Sequence, residues 1–200
     1  MRKLITRAAL LLALVTACYF GWRLATGWML LFLVPHGELL GTYEGVEVRS
    51  DGMGSSVRGE YGYEYECVEL VNRYYVKVLG HSNMTKTGHA DSYFWEANQK
   101  GLIAHPNGSS VRPQKHDILV SDGGPEDGSP GHVALIVDVD EAAGIVTIIQ
   151  QNTVVRADFI FRRDVWIDTL QLRTVDGDWF VDQGPYPIPI AGWSRLPATP

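Results

Sequence analysis

Residues 117–151 read DILVSDGGPEDGSPGHVALIVDVDEAAGIVTIIQQ, and this stretch decides the fold class. Three β-branched runs, Asp117–Ser121, Val133–Val139 and Ile145–Gln151, are bounded by Gly, Asp and Pro, so they read as consecutive strands. Val165–Val175 alternates weakly and reads as a further strand. Upstream, CVELVNRYYVKVL (67–79) repeats Val68, Val71, Tyr75 and Val78 at three- and four-residue spacing. That spacing predicts a helix, with Gly80 as its C-terminal cap. DSYFWEANQ (91–99) predicts a second helix that Asp91 can cap. Gly41–Ser50 reads as a turn and short strand, and Asp51–Gly62 as a Gly- and Ser-rich loop. Helices followed by a run of strands define an α+β domain on an antiparallel sheet. No internal repeat is present. The Pro-rich end, GPYPIPIAGWSRLPATP (184–200), reads as an extended segment that packs through its aromatics before fraying.

Composition narrows the functional classes. With 46% hydrophobic and 20% charged residues the chain is a folded globular protein. A net charge of -6 and no basic stripe after residue 50 exclude nucleic acid as the main partner. The N-terminus is different in kind. Arg2, Lys3 and Arg7 precede an apolar run from Ala8 to Trp22, and a second runs from Leu24 to Val34. Extended back to Leu4, the first run approaches the ~20 residues that span a bilayer. Residues 1–35 therefore read as a membrane anchor or signal segment, and 36–200 as the soluble domain. Positive charge on the N-terminal side predicts a single-pass inner-membrane protein with its domain on the exported, periplasmic side. Val15-Thr16-Ala17-Cys18 offers a lipid-anchored alternative at Cys18, and cleavage a secreted one.

The two cysteines are Cys18, inside the apolar run, and Cys67. An unpaired thiol in an exported domain is either a small buried hydrophobe or one kept for reactivity. Cys67 falls in the first turn of its helix, where free N–H groups and the helix dipole favour a thiolate and a developing oxyanion. His132 opens the strand VALIVDV after a turn-rich loop. The two lie 65 residues apart (132 − 67), so only the fold can join them. A Cys–His pair needs a third group to hold the imidazole, and Gln150 or Asn152 is placed to serve.

GYEYECVELVNRYY (62–75), the 117–139 block and IVTIIQQN (145–152), in that order, resemble the CHAP family of cysteine, histidine-dependent amidohydrolases and peptidases. GELLGTYEGVEVRSDG (37–52), HPNGSSVRP (105–113) and IAGW (190–193) look like segments of the amidase domain of glutathionylspermidine synthetase/amidase. The resemblance implies a papain-like (NlpC/P60-type) domain in which Cys67 attacks an amide carbonyl and His132 shuttles the proton, without metal or organic cofactor. The family's third residue is usually a carboxylate, and Gln150 stands at that position. Its substrate-contacting arginine, five residues after the nucleophile, corresponds to Asn72, with Arg73 adjacent. The implied substrate is a glutathione–polyamine amide; an exported location implies a peptidoglycan peptide instead, cut by an amidase or endopeptidase. Gln150 raises a third reading, a binding module without turnover. His36, His81, His89, His105 and His116 lack metal-ligand spacing, and His116 is retained as a substrate-contact candidate. Trp95, Trp166, Trp179 and Trp193 read as core.

Overall fold

The computed structural model describes residues 11–22, 34–52, 57–82, 84–124, 128–157, 160–163 and 165–198. Within the N-terminal segment the described part, 11–22, is a solvent-exposed helix (α1). The rest of the expected anchor lies almost wholly outside the described residues. Among the described residues no helix is long and apolar enough to cross a membrane.

After α1 come β1 (Leu39–Tyr43), β2 (Val46–Arg49), α2 (Cys67–Lys77), the single-turn α3 (Ser92–Trp95) and a 3-10 turn, Ala97–Lys100. The strands continue with β3 (Ile103–Pro106), β4 (Ile118–Ser121), β5 (His132–Asp140) and β6 (Ile145–Ile149). β7 (Val154–Ala157), β8 (Ile160–Arg163), β9 (Ile167–Val175), β10 (Asp178–Val181) and β11 (Ile190–Arg195) complete the described chain. Among the described residues, seven strands form one sheet in the order β10-β9-β6-β5-β4-β11-β3, every pairing antiparallel. This is the α+β class the helix-then-strand order predicts.

Period-two alternation along β5 builds two cores, one on each face of the sheet. Val133, Leu135 and Val137 face one way and join Leu70, Val71, Tyr74 and Tyr75 of α2. Ala134 and Ile136 face the other way, toward Val146, Ile148, Leu170, Leu172 and Trp193. The buried stripe of α2 is thus centred on Leu70, Val71, Tyr74 and Tyr75, with Val68 and Val78 at its partly buried margins. Past the end of α2, Gly80 is left-handed (φ +70). Asp91 does cap α3, accepting from the Ser92 N–H at 2.7 Å, but the expected second helix is broken into one turn and a 3-10 turn.

The C-terminal segment is extended and packs through an aromatic, as its sequence suggests, but it goes further than that reading: residues 190–195 are β11, inserted between β4 and β3, with Trp193 fully buried. Prolines flank the strand at 185, 187, 189 and 197, and the six residues of β11 itself are free of them. Gly192 makes the close approach feasible, since a Cβ there would lie 2.2 Å from the carbonyl oxygen of His105 on β3. Trp95 also departs from the core reading. It is 47% exposed and donates its indole N–H to Asp122 at 2.5 Å.

Candidate active site

Glu66 is extended (φ −71, ψ 157) and acts as the N-cap of α2, so Cys67 is the first residue of the helix. Its thiol is buried, and the backbone N–H groups of Val133, Val68 and Cys67 itself are directed at it. His132 is the first residue of β5, the strand beside α2. The residue before it must be glycine. Gly131 is left-handed (φ +68), and a Cβ there would sit 2.8 Å from the Ser121 carbonyl oxygen. That pinched turn carries the chain from the loop into β5 and presents the imidazole beside the thiol. Cys67 and His132 together line a cleft of about 570 Å³, with Glu66, Asn152, Tyr63, Arg58, Lys86 and His89 around them.

The imidazole is held from behind. Its Nε2 lies 3.1 Å from Gln150 Oε1 and 3.1 Å from Thr153 Oγ1. Gln150 is 1% exposed, and its Nε2 donates to the Tyr186 hydroxyl at 2.6 Å. Tyr186 in turn donates to Asp168 Oδ2 at 2.6 Å. Asn152 lines the cleft but its amide donates to Glu66 Oε2 at 2.7 Å, so it braces the residue before the thiol. Gln151 braces the same turn, donating to the Glu66 carbonyl and to Glu69 Oε2, both at 3.1 Å.

Three residues singled out from sequence are placed elsewhere. Asn72 is fully buried, donating to the Tyr61 carbonyl at 2.7 Å and accepting from the Tyr93 hydroxyl at 2.5 Å. Arg73 is paired with Glu69 at 2.7 Å and donates to the Glu47 carbonyl at 2.8 Å. His116 stacks on Tyr74, with Nδ1 2.8 Å from its hydroxyl. None of the three lines the cleft. The first two fail for a geometric reason. Five residues along a helix turn the side chain by about 140°, so position 72 leaves the cleft face of α2, and position 73 leaves it on the other side, about 120° away. Thr153, Tyr186, Asp168 and Glu66 carry no local sequence signal for a role here; an amide where a carboxylate is usual was the one hint that extra partners exist.

Electrostatics reverse the expectation of a resting thiolate. Burial, with the Glu66 carboxylate adding to it, pushes the Cys67 thiol up to about 11 against the pull of the three N–H groups. A helix N-terminus stabilises negative charge by about 0.3–1 kcal/mol, less than a tenfold change in acidity, so burial wins. Burial also pushes His132 down to about 4, only partly countered by its bond to Gln150. At neutral pH the pair is therefore thiol and imidazole, and the proton moves when the sulfur attacks. Alkylation of Cys67 by iodoacetamide, followed by peptide mass spectrometry, is expected to be slow at neutral pH and to accelerate toward pH 11. A fast rate that has levelled off by neutral pH would contradict the neutral pair. The histidine carries a second consequence. Unfolded chains take up a proton near 6.5 that folded His132 refuses until about 4, so its contribution to stability is lost as pH falls through that window.

Among the described residues no group of three His, Cys, Asp or Glu side chains converges to hold a metal ion. Residues 57–152 match the CHAP domain family, a span that includes Cys67, His132, Gln150 and Asn152. Residues 57–152 therefore carry a CHAP domain, a domain type of thiol amidases and peptidases that act on C–N bonds. Among solved structures it is similar to the wild-type endolysin LysIME-EF1, at 19% identity and a TM-score of 0.38. The match covers 68% of this chain and spans 59% of the length of that endolysin chain. No curated protein matches the chain.

Proposed function

We propose that the chain hydrolyses an amide bond in the peptide part of peptidoglycan, with Cys67 as nucleophile, His132 as general base and Gln150 orienting the imidazole. The observation that carries this reading is the shared cleft, where a thiol ringed by three N–H groups meets an imidazole held from behind. Cys67 Sγ bonds to the amide carbon while its proton passes to His132. The N–H groups around the sulfur are placed to hold the oxyanion. His132 then protonates the departing amine as the C–N bond breaks, leaving a thioester. Water, losing a proton to His132, opens that thioester to a carboxylic acid and restores the thiol.

Two features favour a wall peptide over a glutathione–polyamine amide. The arginine that would contact glutathione is replaced by Asn72, which is buried against Tyr61 and Tyr93. The cleft itself presents Arg58 and Lys86, each over a tyrosine ring and neither in an ion pair among the described residues. These cations suit free peptide carboxylates and repel a polyamine tail. The basic start of the chain (Arg2, Lys3, Arg7) before an apolar run supports placing the domain on the exported side of the inner membrane, where that substrate lies.

The full-length protein in detergent is expected to release a new amine and a new carboxylate from muropeptides, read by mass spectrometry, and to leave glutathionylspermidine intact. Cleavage of glutathionylspermidine alone would replace this substrate with the other. Cleavage of neither, with Gln150→Glu equally inert, would leave a binding module.

A further inference from the structure

A carboxylate beside a catalytic imidazole has two equal oxygens, and either end can accept the ring N–H. A glutamine has two unequal ends, and only one of them is an acceptor. With Gln150 at this position something must choose which end faces His132, since the wrong choice would present an NH₂ group to Nε2 and drive the ring proton to Nδ1. The chain of short bonds behind Gln150 makes that choice. Asp168 accepts at both of its oxygens, from the Thr169 N–H and from Tyr186, so the single proton of the Tyr186 hydroxyl is committed to it at 2.6 Å. The Tyr186 oxygen is then left as an acceptor, and the Gln150 NH₂ must be the donor that meets it, also at 2.6 Å. Gln150 Oε1 is thereby turned to His132 Nε2 at 3.1 Å and fixes the proton there. Thr153 agrees with this polarity: its hydroxyl donates to the Gln151 carbonyl at 3.5 Å, leaving its oxygen to accept from Nε2 at 3.1 Å.

We propose that Asp168 and Tyr186 are positioning residues that set the direction of Gln150 and so hold His132 in the tautomer with Nε2 protonated and Nδ1 free to take the Cys67 proton. The mechanistic half of this rests on the reading of Cys67 and His132 given above; the tautomer itself does not. Burial makes the arrangement effective, with Gln150 1% and Tyr186 9% exposed, so water competes little for either end of the amide. Asp168 is half-buried and is further fixed by the Thr169 N–H on its other oxygen at 2.8 Å.

The test reads the ring nitrogens directly. In full-length protein labelled with ¹⁵N-histidine, long-range N–H correlation spectra are expected to show wild-type His132 protonated at Nε2. Tyr186→Phe removes the acceptor for the Gln150 NH₂, and Asp168→Asn supplies a donor that lets Tyr186 and Gln150 reverse. Both variants are expected to show the other tautomer or an exchanging mixture, and to lose roughly tenfold to a hundredfold in kcat with little change in KM. Adding Gln150→Glu to Tyr186→Phe is expected to restore kcat, because a carboxylate needs no orienting. A wild-type ring protonated at Nδ1, variants with unchanged tautomer and kcat, or a double variant no better than Tyr186→Phe would each overturn the proposal. Should Tyr186→Phe fail to fold, Asp168→Asn alone decides it through the nitrogen spectra. Those spectra are taken without substrate, so they report on the relay even if the chain cuts no peptidoglycan.

Discussion

Cys67→Ala is expected to lower the rate of amide hydrolysis by roughly 10⁴- to 10⁶-fold, to the level that binding and N–H groups alone sustain. The size follows from the absence of a substitute. Cys18, the other thiol, sits exposed on α1 and does not line the cleft. The Glu66 carboxylate beside the site is occupied by Asn152. His132→Ala is expected to cost a similar factor, and the two changes together little more than either, because nucleophile and base act as one unit. Burst kinetics with an activated ester, alongside circular dichroism to show an intact fold, provides the measurement. Retention of even a tenth of the wild-type rate in Cys67→Ala would remove the thiol from the mechanism.

The largest effect on stability is expected at Trp193. Truncation to alanine should cost about 3–5 kcal/mol of unfolding free energy, read from the shift of a urea midpoint at unchanged slope. Trp193 is completely buried and packs with Leu119, Ala134 and Ile136, so it ties β11 to the middle of the sheet. β11 has little room to shift toward β3, because a Cβ at the neighbouring Gly192 would already lie 2.2 Å from the His105 carbonyl oxygen. Trp193→Phe should cost less, since the indole N–H it discards has no hydrogen-bond partner to lose. A cost below about 1 kcal/mol for Trp193→Ala would mean that β11 is not anchored by its core.

What could be read ahead of the structure was what local pattern controls. Helix α2 and strands β4, β5, β6 and β9 announce themselves because burial on one or two faces forces a short repeat into the sequence. β11 did not, because the prolines around it mask a six-residue run whose pairing partners, β3 and β4, lie far back in the chain. β10 went unread because it is only four residues long; it is joined to β9 by the two left-handed residues Asp176 and Gly177.

The site divides in the same way. Cys67 and His132 were legible through their positions at a helix start and a strand start, and Gln150 through its place after β6. The partners that give Gln150 its direction were not. Tyr186 is 36 residues further on, in the Pro-rich segment, and meets Asp168 across another 18. The resting charge of the thiol is not legible in sequence for a related reason: helix position can be read there, whereas the degree of burial depends on everything packed around the sulfur.

The position of β11 also bears on when the protein can work. It is synthesised after every other strand of the sheet, yet it lies between two of them, and Tyr186 arrives in the same stretch of chain. A nascent chain that has already produced Cys67, His132 and Gln150 therefore still has an open seam between β3 and β4 and an undirected amide behind its imidazole. Cys67, His132 and Gln150 thus become a directed site only once residues 186–195 have been delivered and seated against β3 and β4.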